Sequence, residues 1–213
     1  DDDLVVVDKP AGLVVHPAPS HTGVTLVELL ADLAGGGQEG RPGIVHRLDK
    51  DTSGLMVVAR NEVAHAELSR QIRKREAKRE YRALVVGALS SRTGTIDAPL
   101  GRHRRRPTDM AVRGGGKEAR THFEVLEVLP GDTLVAARLE TGRTHQIRAH
   151  FAAIGHPVAG DPRYGEAGRH GLTRQFLHST ELAFVHPASG EQMTFHSELP
   201  EDLQAALKRA RDA

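Results

Sequence analysis

The feature that most constrains the fold is a pair of hairpin patterns. The run THFEVLEVL is followed by DTLVAARLE, with Pro130-Gly131 between them. The run FLHSTELAFVHP is followed by EQMTFHSEL, with Ser189-Gly190 between them. Short loops of this kind join neighbouring antiparallel strands, whereas parallel strands need a long crossover connection. The chain is therefore predicted to contain a largely antiparallel sheet.

Apolar residues at helical spacing predict helices between the strands. These stripes are Leu26, Leu29, Leu30 and Leu33; Ala64, Leu68 and Ile72 after a capping Asn61; and Ile147, Phe151 and Ile154. Pro200 is predicted to open a last helix, whose charges complement the helix dipole at both ends. Other segments predict a strand, turn and strand in LVVVDKPAGLVV, and single strands in GLMVVAR and REYRALVVG.

The order of these elements favours an α+β fold. Strands occur in adjacent runs as well as alternating with helices, which predicts a mixed, largely antiparallel central sheet flanked by helices and loops. A doubly wound nucleotide-binding fold is disfavoured because no GxGxxG follows a strand. The length of 213 residues suits a single domain over 1–213.

The absence of cysteine removes several kinds of chemistry. Without Cys the chain has no disulfide, thiolate metal site or thiol nucleophile, and it fits a reducing, cytoplasmic location. The thirteen histidines include no HExxH pair, so no metal site is expected. Because no apolar run is long enough to cross a bilayer, a membrane protein is not expected either.

Basic residues are concentrated in two stretches, although the net charge is only +1. Between Arg70 and Arg82 there are seven basic residues and two acidic ones, and Arg102–Arg106 reads RHRRR. Such stretches predict a docking face for a polyanion. Solvated charge on a helix and a loop is the alternative.

The stretch GIVHRLDKDTSGL places several charges between two apolar runs. Asp51, followed by Thr52-Ser53-Gly54, fits a tight turn that enters the next strand. Asp49 precedes this turn and is flanked by Arg47 and Lys50, cations that favour an ionised carboxylate. Such a carboxylate serves as a nucleophile, a base or a structural ion-pair partner, and the residues alone leave these alternatives open.

Two further positions are candidates for chemistry. In TGRTHQIRAH, Gly142 and Thr144 predict a helix start, which is a ready anion site, and Arg148 lies beside the buried stripe. An Arg there either needs a carboxylate or covers apolar surface with its stem. Tyr81 lies in a basic strand, where it either stacks on a base or fills the core with its hydroxyl hydrogen-bonded.

With these residues assembled, HRLDKDTSGL resembles the signature of the RluA/RluD-type pseudouridine synthases. Segments that resemble the same family in the same order are DKPAGLVVHPAP, KREYRALVVG, GTIDAPLGRH, TGRTHQIRAH, GHPVAGDPRYG and LHSTELAFVHPASG. The resemblance runs from about Leu4 to Leu203. The HPAP and LGRH stretches, with DMAV, are similar to the RluD-like branch, which modifies large-subunit ribosomal RNA. Several of its members carry a small RNA-binding domain first, so such a domain is expected to precede residue 1.

The resemblance implies a pseudouridine synthase fold with a central catalytic cleft, and isomerisation of uridine to pseudouridine without cofactor or metal. Asp49 matches the catalytic aspartate, Arg148 the basic residue that pairs with it, and Tyr81 the tyrosine that stacks on the target base. Arg47 matches an arginine that fills the gap left by the flipped nucleotide. The expected partner is ribosomal RNA, bound by a monomer. Further RNA contacts are expected from His46, Lys50, Arg79, Arg102, Arg104, Arg105, Arg143 and His145.

Three alternatives accompany this interpretation. The first is the same reaction on transfer RNA. The second is a glycoside hydrolase, which needs two carboxylates about 5–10 Å apart. The third is a non-catalytic RNA-binding module, in which Asp49 chemistry plays no part. The resemblance favours pseudouridine formation, and Asp49 is the available substitute for a thiolate nucleophile that this chain lacks. The hydrolase is disfavoured because Asp51 is better explained by the turn.

Overall fold

A computed structural model describes residues 1–17 and 22–213. The strands are Leu4–Lys9 (β1), Ser53–Ala59 (β2), Lys78–Val86 (β3), Thr93–Asp97 (β4), Leu100–Arg102 (β5), Met110–Val112 (β6), Arg120–Leu129 (β7), Asp132–Leu139 (β8), Leu177–Val185 (β9) and Gln192–His196 (β10). The helices are Leu26–Leu29 (α1), Glu62–Lys74 (α2), Gln146–Ala153 (α3) and Glu201–Arg211 (α4), with a 3-10 turn at Arg169–Gly171.

The chain divides into two compact units. The first unit comprises 1–79 with 179–197, and the second comprises 80–178 with 198–213. The expectation of a single domain over 1–213 stays a prediction, as does the central catalytic cleft.

The first unit is built around β2, all seven residues of which are buried. The strand order is β1-β2-β9, and β10 pairs with β9. Both β1 on β2 and β10 on β9 are antiparallel. Helix α2 contributes Ala64 and Leu68 to the same apolar cluster as Leu55, Val57 and Phe184. This helix begins where the Asn61 side chain accepts the Ala64 N–H at 2.8 Å, as the sequence predicts.

The second unit contains the strand order β3-β8-β7-β4, with every neighbouring pair antiparallel. Strands β7 and β8 form the predicted hairpin around Gly131, whose φ of 75° suits glycine. A separate two-stranded sheet joins β5 to β6, also antiparallel. Helix α3 contacts β6 and β7, and Phe151 of α3 packs on Phe123 with ring centroids 5.7 Å apart. The largely antiparallel α+β class is therefore confirmed.

Two predicted elements near the N-terminus are wrong in extent. Helix α1 starts with a capping box between Thr25 and Glu28 but ends at Leu29 instead of continuing to Gly35. Leu29 and Leu33 are 62% and 42% exposed, so the stripe has no apolar partner that would sustain a longer helix. The second strand of LVVVDKPAGLVV is also absent. Val14 makes an isolated bridge to Thr25.

The backbone of that second segment is used by α1 instead of a sheet. The carbonyls of Val14 and Val15 accept the N–H groups of Leu26 and Val27 at 2.8 and 3.0 Å. These N–H groups lie in the first helical turn, where no intrahelical acceptor exists. An apolar run thus serves as a helix cap, which periodicity does not distinguish from a strand. Of the DKPAGLVVHPAP segment, Ala18 and Pro19 lie outside the described residues.

Helix α3 differs from its prediction at both ends. The prediction placed its start at Gly142 and Thr144, but the capping residue is His145, with φ of 53° and no side-chain cap. Ile154, predicted to be buried, is 42% exposed because the helix has already ended at Ala153. Strands β4, β5 and β6 were not predicted, because β4 is mostly polar and β5 and β6 have only three residues each, too few to show an alternating pattern.

Among the helices of the described ranges, none combines the length and the apolar character that a membrane span requires.

Candidate active site

Asp49 lies on a tight turn that leads into β2. The Thr52 N–H donates to the Asp49 carbonyl at 3.1 Å, which closes a turn with Lys50 and Asp51 at its centre. Leu48 before the turn and Ser53 after it are 5% and 4% exposed. Both ends of the turn are thus anchored in packed structure, while the Asp49 residue itself stays partly exposed.

The buried ammonium group of Lys9 holds this turn in place. The Lys9 side chain, at the end of β1, is 1% exposed, and its Nζ donates to the carbonyls of Pro10, Leu13 and Lys50 at 2.8 to 2.9 Å. The Lys50 carbonyl also accepts the Gly12 N–H at 3.0 Å. Charge-assisted bonds to three carbonyls are the kind of compensation that a buried cation needs. Lys9 therefore ties the Asp49 turn to the loop after β1.

Replacing Lys9 by Met is expected to lower the free energy of unfolding by about 2–4 kcal/mol, because carbonyls that lose the ammonium stay buried. Urea unfolding measures this change. Lys50→Met is the matched control, since it alters an exposed lysine of the same turn and should cost less than about 0.5 kcal/mol. Equal stabilities of the two variants would contradict the role given to Lys9.

His46 is held against the backbone of β2. Its Nε2 accepts the Val57 N–H at 3.1 Å, so the ring is neutral, with the proton on Nδ1. Burial and the nearby charge of Arg79 lower the pKa of His46 to about 3. Arg79 is itself 3% exposed.

Arg47 and Lys50, which lie in the same loop as His46, are exposed. Burial and the charges of Arg47 and Arg41 lower the pKa of His16 to about 4.

Acidification is expected to destabilise the chain through His46. Its pKa in the folded state, about 3, lies below the ordinary value of 6.5, so the unfolded chain takes up the proton first. The stabilisation is complete above pH 6.5 and is lost as the pH falls from there towards 3. At pH 5 the loss is about 2 kcal/mol. Urea unfolding across this range measures the free energy of unfolding against pH. His46→Gln should make this dependence flatter, whereas the control His196→Gln, which changes an exposed histidine, should leave it as in the parent.

In the second unit, Arg148 of α3 forms a two-pronged pair with Asp161. Nε lies 2.6 Å from Oδ2 and Nη2 lies 2.9 Å from Oδ1. The two side chains are 5% and 0% exposed. Asp161 Oδ1 also accepts the N–H groups of Arg163 and Tyr164 at 2.9 and 3.2 Å. The carboxylate is thus bonded on both oxygens, and it sets the direction of the guanidinium.

Tyr164 connects this pair to the start of α3. The Arg148 guanidinium carbon lies 5.2 Å from the centre of the Tyr164 ring, within range of a cation–π contact. The Tyr164 hydroxyl accepts the Met110 N–H at 2.7 Å and shares a hydrogen bond of 2.9 Å with Nδ1 of His145. Burial raises the pKa of Tyr164 above its ordinary value of 10.0. His145, an expected RNA contact, is therefore oriented by a partly buried phenol.

The other candidates of the second unit lie on β3 and on loops. Tyr81 is 4% exposed and stands opposite Ala137 of β8. Arg102, Arg104 and Arg105 are exposed on or just after β5, and Arg143 is exposed in the loop before α3. Within each unit the predicted residues are thus brought near one another in two groups. These are the Asp49 turn with its cations, and Arg148 with His145.

Sequence reasoning missed Lys9, Asp161 and Tyr164. Lys9 belongs to a Lys-Pro-Ala-Gly turn, which hides its burial, because a lysine is normally exposed. Asp161 and Tyr164 lie in GHPVAGDPRYG, a segment noted for its family resemblance without a role for any residue. The usable signal was Tyr164 itself, one of two tyrosines in the chain, beside an Asp-Pro turn.

Comparisons with known proteins show the family to which the chain is related. Residues 3–153 match the family model described as RNA pseudouridylate synthase. The chain is 49% identical over 99% of its length to the uncharacterized RNA pseudouridine synthase YlyB of Bacillus subtilis, of which it covers 71%. It is 48% identical over its whole length to ribosomal large subunit pseudouridine synthase D of Nitrosomonas europaea, of which it covers 64%.

Solved structures give the same result. Human RNA pseudouridylate synthase domain containing 1 matches with a TM-score of 0.74 and 29% identity, over 94% of this chain and 81% of that one. Human RNA pseudouridylate synthase domain containing 4 matches with a TM-score of 0.75 and 26% identity, over 99% and 91%. The matched range 3–153 contains Asp49, Tyr81 and Arg148. The chain belongs to the RNA pseudouridylate synthase family.

Proposed function

We propose that this chain converts uridine to pseudouridine in RNA, with Asp49 as the nucleophile and large-subunit ribosomal RNA as the substrate. The observation that carries the proposal is a carboxylate at a braced, partly exposed turn inside the range matched by the family model. A turn held at both ends and by the Lys9 ammonium keeps the Asp49 backbone in one place. Preorganisation of this kind is what a nucleophile needs.

The reaction is an isomerisation in which atoms balance without a co-reactant. The bond between ribose C1′ and uracil N1 breaks, the base turns, and C1′ bonds to C5. C5 then loses its proton and N1 takes up a proton, so no net proton is gained or lost. Asp49 attacks either uracil C6 or ribose C1′, and both routes return the carboxylate unchanged. A carboxylate suits the role in a chain that has no cysteine.

The target uridine must leave its stack before Asp49 reaches it. Unstacking costs a few kcal/mol, which stacking on an aromatic ring partly offsets. Tyr81 is assigned this stacking role and Arg47 the role of filling the gap in the RNA. The exposure of Arg47 and Lys50 supports their part in RNA contact. Two of the remaining expected contacts have a supporting role instead. His46 is hydrogen-bonded to the backbone of β2, and Arg79 is a buried residue of β3.

The choice of ribosomal RNA follows the names of related proteins. Several relatives at 46–48% identity are named ribosomal large subunit pseudouridine synthase D. Action on ribosomal RNA places the enzyme in the cytoplasm, and a monomer suffices for the reaction. Transfer RNA is the alternative substrate for the same site.

Tritium release tests the proposal directly. Ribosomal RNA labelled with tritium at uridine C5 is incubated with the chain, and released label is counted. We expect release into water without free uracil, because the base is reattached through C5. A hydrolase would liberate free uracil, and a binding module would liberate nothing; either result would contradict the proposal. If transfer RNA labelled in the same way released tritium faster than ribosomal RNA, transfer RNA would become the proposed substrate.

A further inference from the structure

A basic cavity of about 580 Å³ lies in the second unit. It is lined by both strands of the β5–β6 sheet, by the loop after β6 and by the loop before α3. The loop after β6 is bound tightly to β5. Leu100 and Lys117 exchange both backbone hydrogen bonds, at 2.9 and 2.8 Å. A Cβ on Gly116 would stand 2.7 Å from the Leu100 carbonyl, so only glycine fits there. The wall is therefore fixed.

Four cations line this cavity: Arg102, Arg113, Lys117 and Arg143. All four are exposed, and none forms an ion pair with a carboxylate of the described part of the chain. Among the described residues that line the cavity there is no acidic side chain. The charge of the lining is therefore uncompensated by the protein.

The donors of these cations are mostly unused. Arg102 donates Nη1 to the Pro107 carbonyl at 2.7 Å, and Arg143 donates Nε to the Glu118 carbonyl at 2.9 Å. Arg113 donates Nη1 to the Arg102 carbonyl at 3.3 Å, with its stem lying over Gly101. Each guanidinium carries five N–H donors, so most remain for a ligand, while these bonds to carbonyls hold the direction of the guanidinium. Such forks suit the oxygens of phosphate.

The rest of the lining argues against recognition of a base. No aromatic ring lines the cavity among the described residues, so a base has nothing to stack on. Glycines and the short side chains of Thr108 and Thr144 leave room along the walls instead. A ligand with several negative charges along an extended chain fits this lining better than a planar group does.

We propose that this cavity binds backbone phosphates of the RNA substrate without reading base identity. Arg113 and Lys117, which the sequence patterns did not single out, join Arg102 and Arg143 as the phosphate contacts. The inference rests on the proposed function for the identity of the polyanion as RNA. It adds a second anchoring point that holds substrate by charge.

The test measures binding in the Asp49→Asn background, so that turnover plays no part. The affinity of a fluorescein-labelled single-stranded oligouridylate is followed by anisotropy over a series of salt concentrations. Lys117→Gln and Arg113→Gln are each expected to weaken binding about three- to tenfold and to lower the slope of log affinity against log salt by about 0.7. Lys117→Arg is expected to restore both quantities.

Lys208→Gln is the matched control, because Lys208 is an exposed lysine of the same unit that does not line the cavity. It should keep the parent slope. An oligoadenylate should show the same losses as the oligouridylate, and a loss confined to one base would overturn backbone binding. If both cavity variants keep the parent's affinity and salt slope, phosphate binding by the cavity is overturned, even where the parent releases tritium. If the parent releases no tritium but the cavity variants still change the salt slope, only the proposed reaction is overturned.

Discussion

Asp49→Asn is expected to abolish tritium release, by at least about 10³-fold, while RNA affinity stays within about twofold of the parent. The substitution removes the nucleophilic charge but keeps the size of the side chain. The turn survives because its closing bond joins the Thr52 N–H to the backbone carbonyl of residue 49. The Lys9 ammonium likewise holds a backbone carbonyl, that of Lys50. Label release measures the chemistry, and anisotropy with ribosomal RNA measures the binding.

Asp51→Asn is the matched control for this experiment, since it changes the neighbouring carboxylate of the same turn. We expect the Asp51 variant to release tritium at a rate close to that of the parent. A loss in the Asp51 variant as large as in the Asp49 variant would point to a pair of carboxylates, as in a glycoside hydrolase. Retained release in Asp49→Asn would remove Asp49 from the chemistry altogether.

Local patterns predicted the strands well because the signal for a hairpin lies within one stretch of chain. In β7 and β8, apolar residues flank a Pro130-Gly131 turn, and the strands pair in the predicted hairpin. Helix α2 was equally readable, since its cap at Asn61 and its stripe of Ala64 and Leu68 are local. Helix α1 carried a similar stripe but lacked an apolar surface to cover it. Periodicity cannot report what lies opposite a stripe.

The candidate site was predicted less completely, because its supporting contacts join distant positions. Arg148 was expected to need a carboxylate, but nothing in the chain between it and Asp161 marks that residue as a partner. Lys9 looks like an ordinary turn lysine until its ammonium is found among three carbonyls. His46 looks like a cationic RNA contact until its ring is found accepting a β2 N–H. The residues proposed to touch substrate were suggested by composition and resemblance, whereas the residues that hold them in place required coordinates.

Asp161→Asn is expected to have the second largest effect, on both stability and activity. The variant leaves the buried Arg148 guanidinium without its carboxylate, and breaking a buried pair from one side costs about 3–5 kcal/mol of unfolding free energy. Tritium release should fall about 10²-fold, because the family resemblance implies that Arg148 pairs with the catalytic aspartate, and a guanidinium displaced by about 1 Å would lose that pairing. Urea unfolding and the release assay measure the two effects separately.

Glu127→Gln supplies the matched control for the loss at Asp161. Glu127 holds Arg211 with the same two-pronged geometry, at 3.0 and 2.7 Å, but the two side chains are 35% and 50% exposed. Water replaces much of what that variant loses, so it should cost less than about 1 kcal/mol and leave tritium release unchanged. A double variant with Arg148→Gln separates pairing from packing, since the cost of Asp161→Asn should shrink once the guanidinium is gone. Additive costs would show that Asp161 stabilises the Tyr164 loop on its own account, and Arg148 would then need another support.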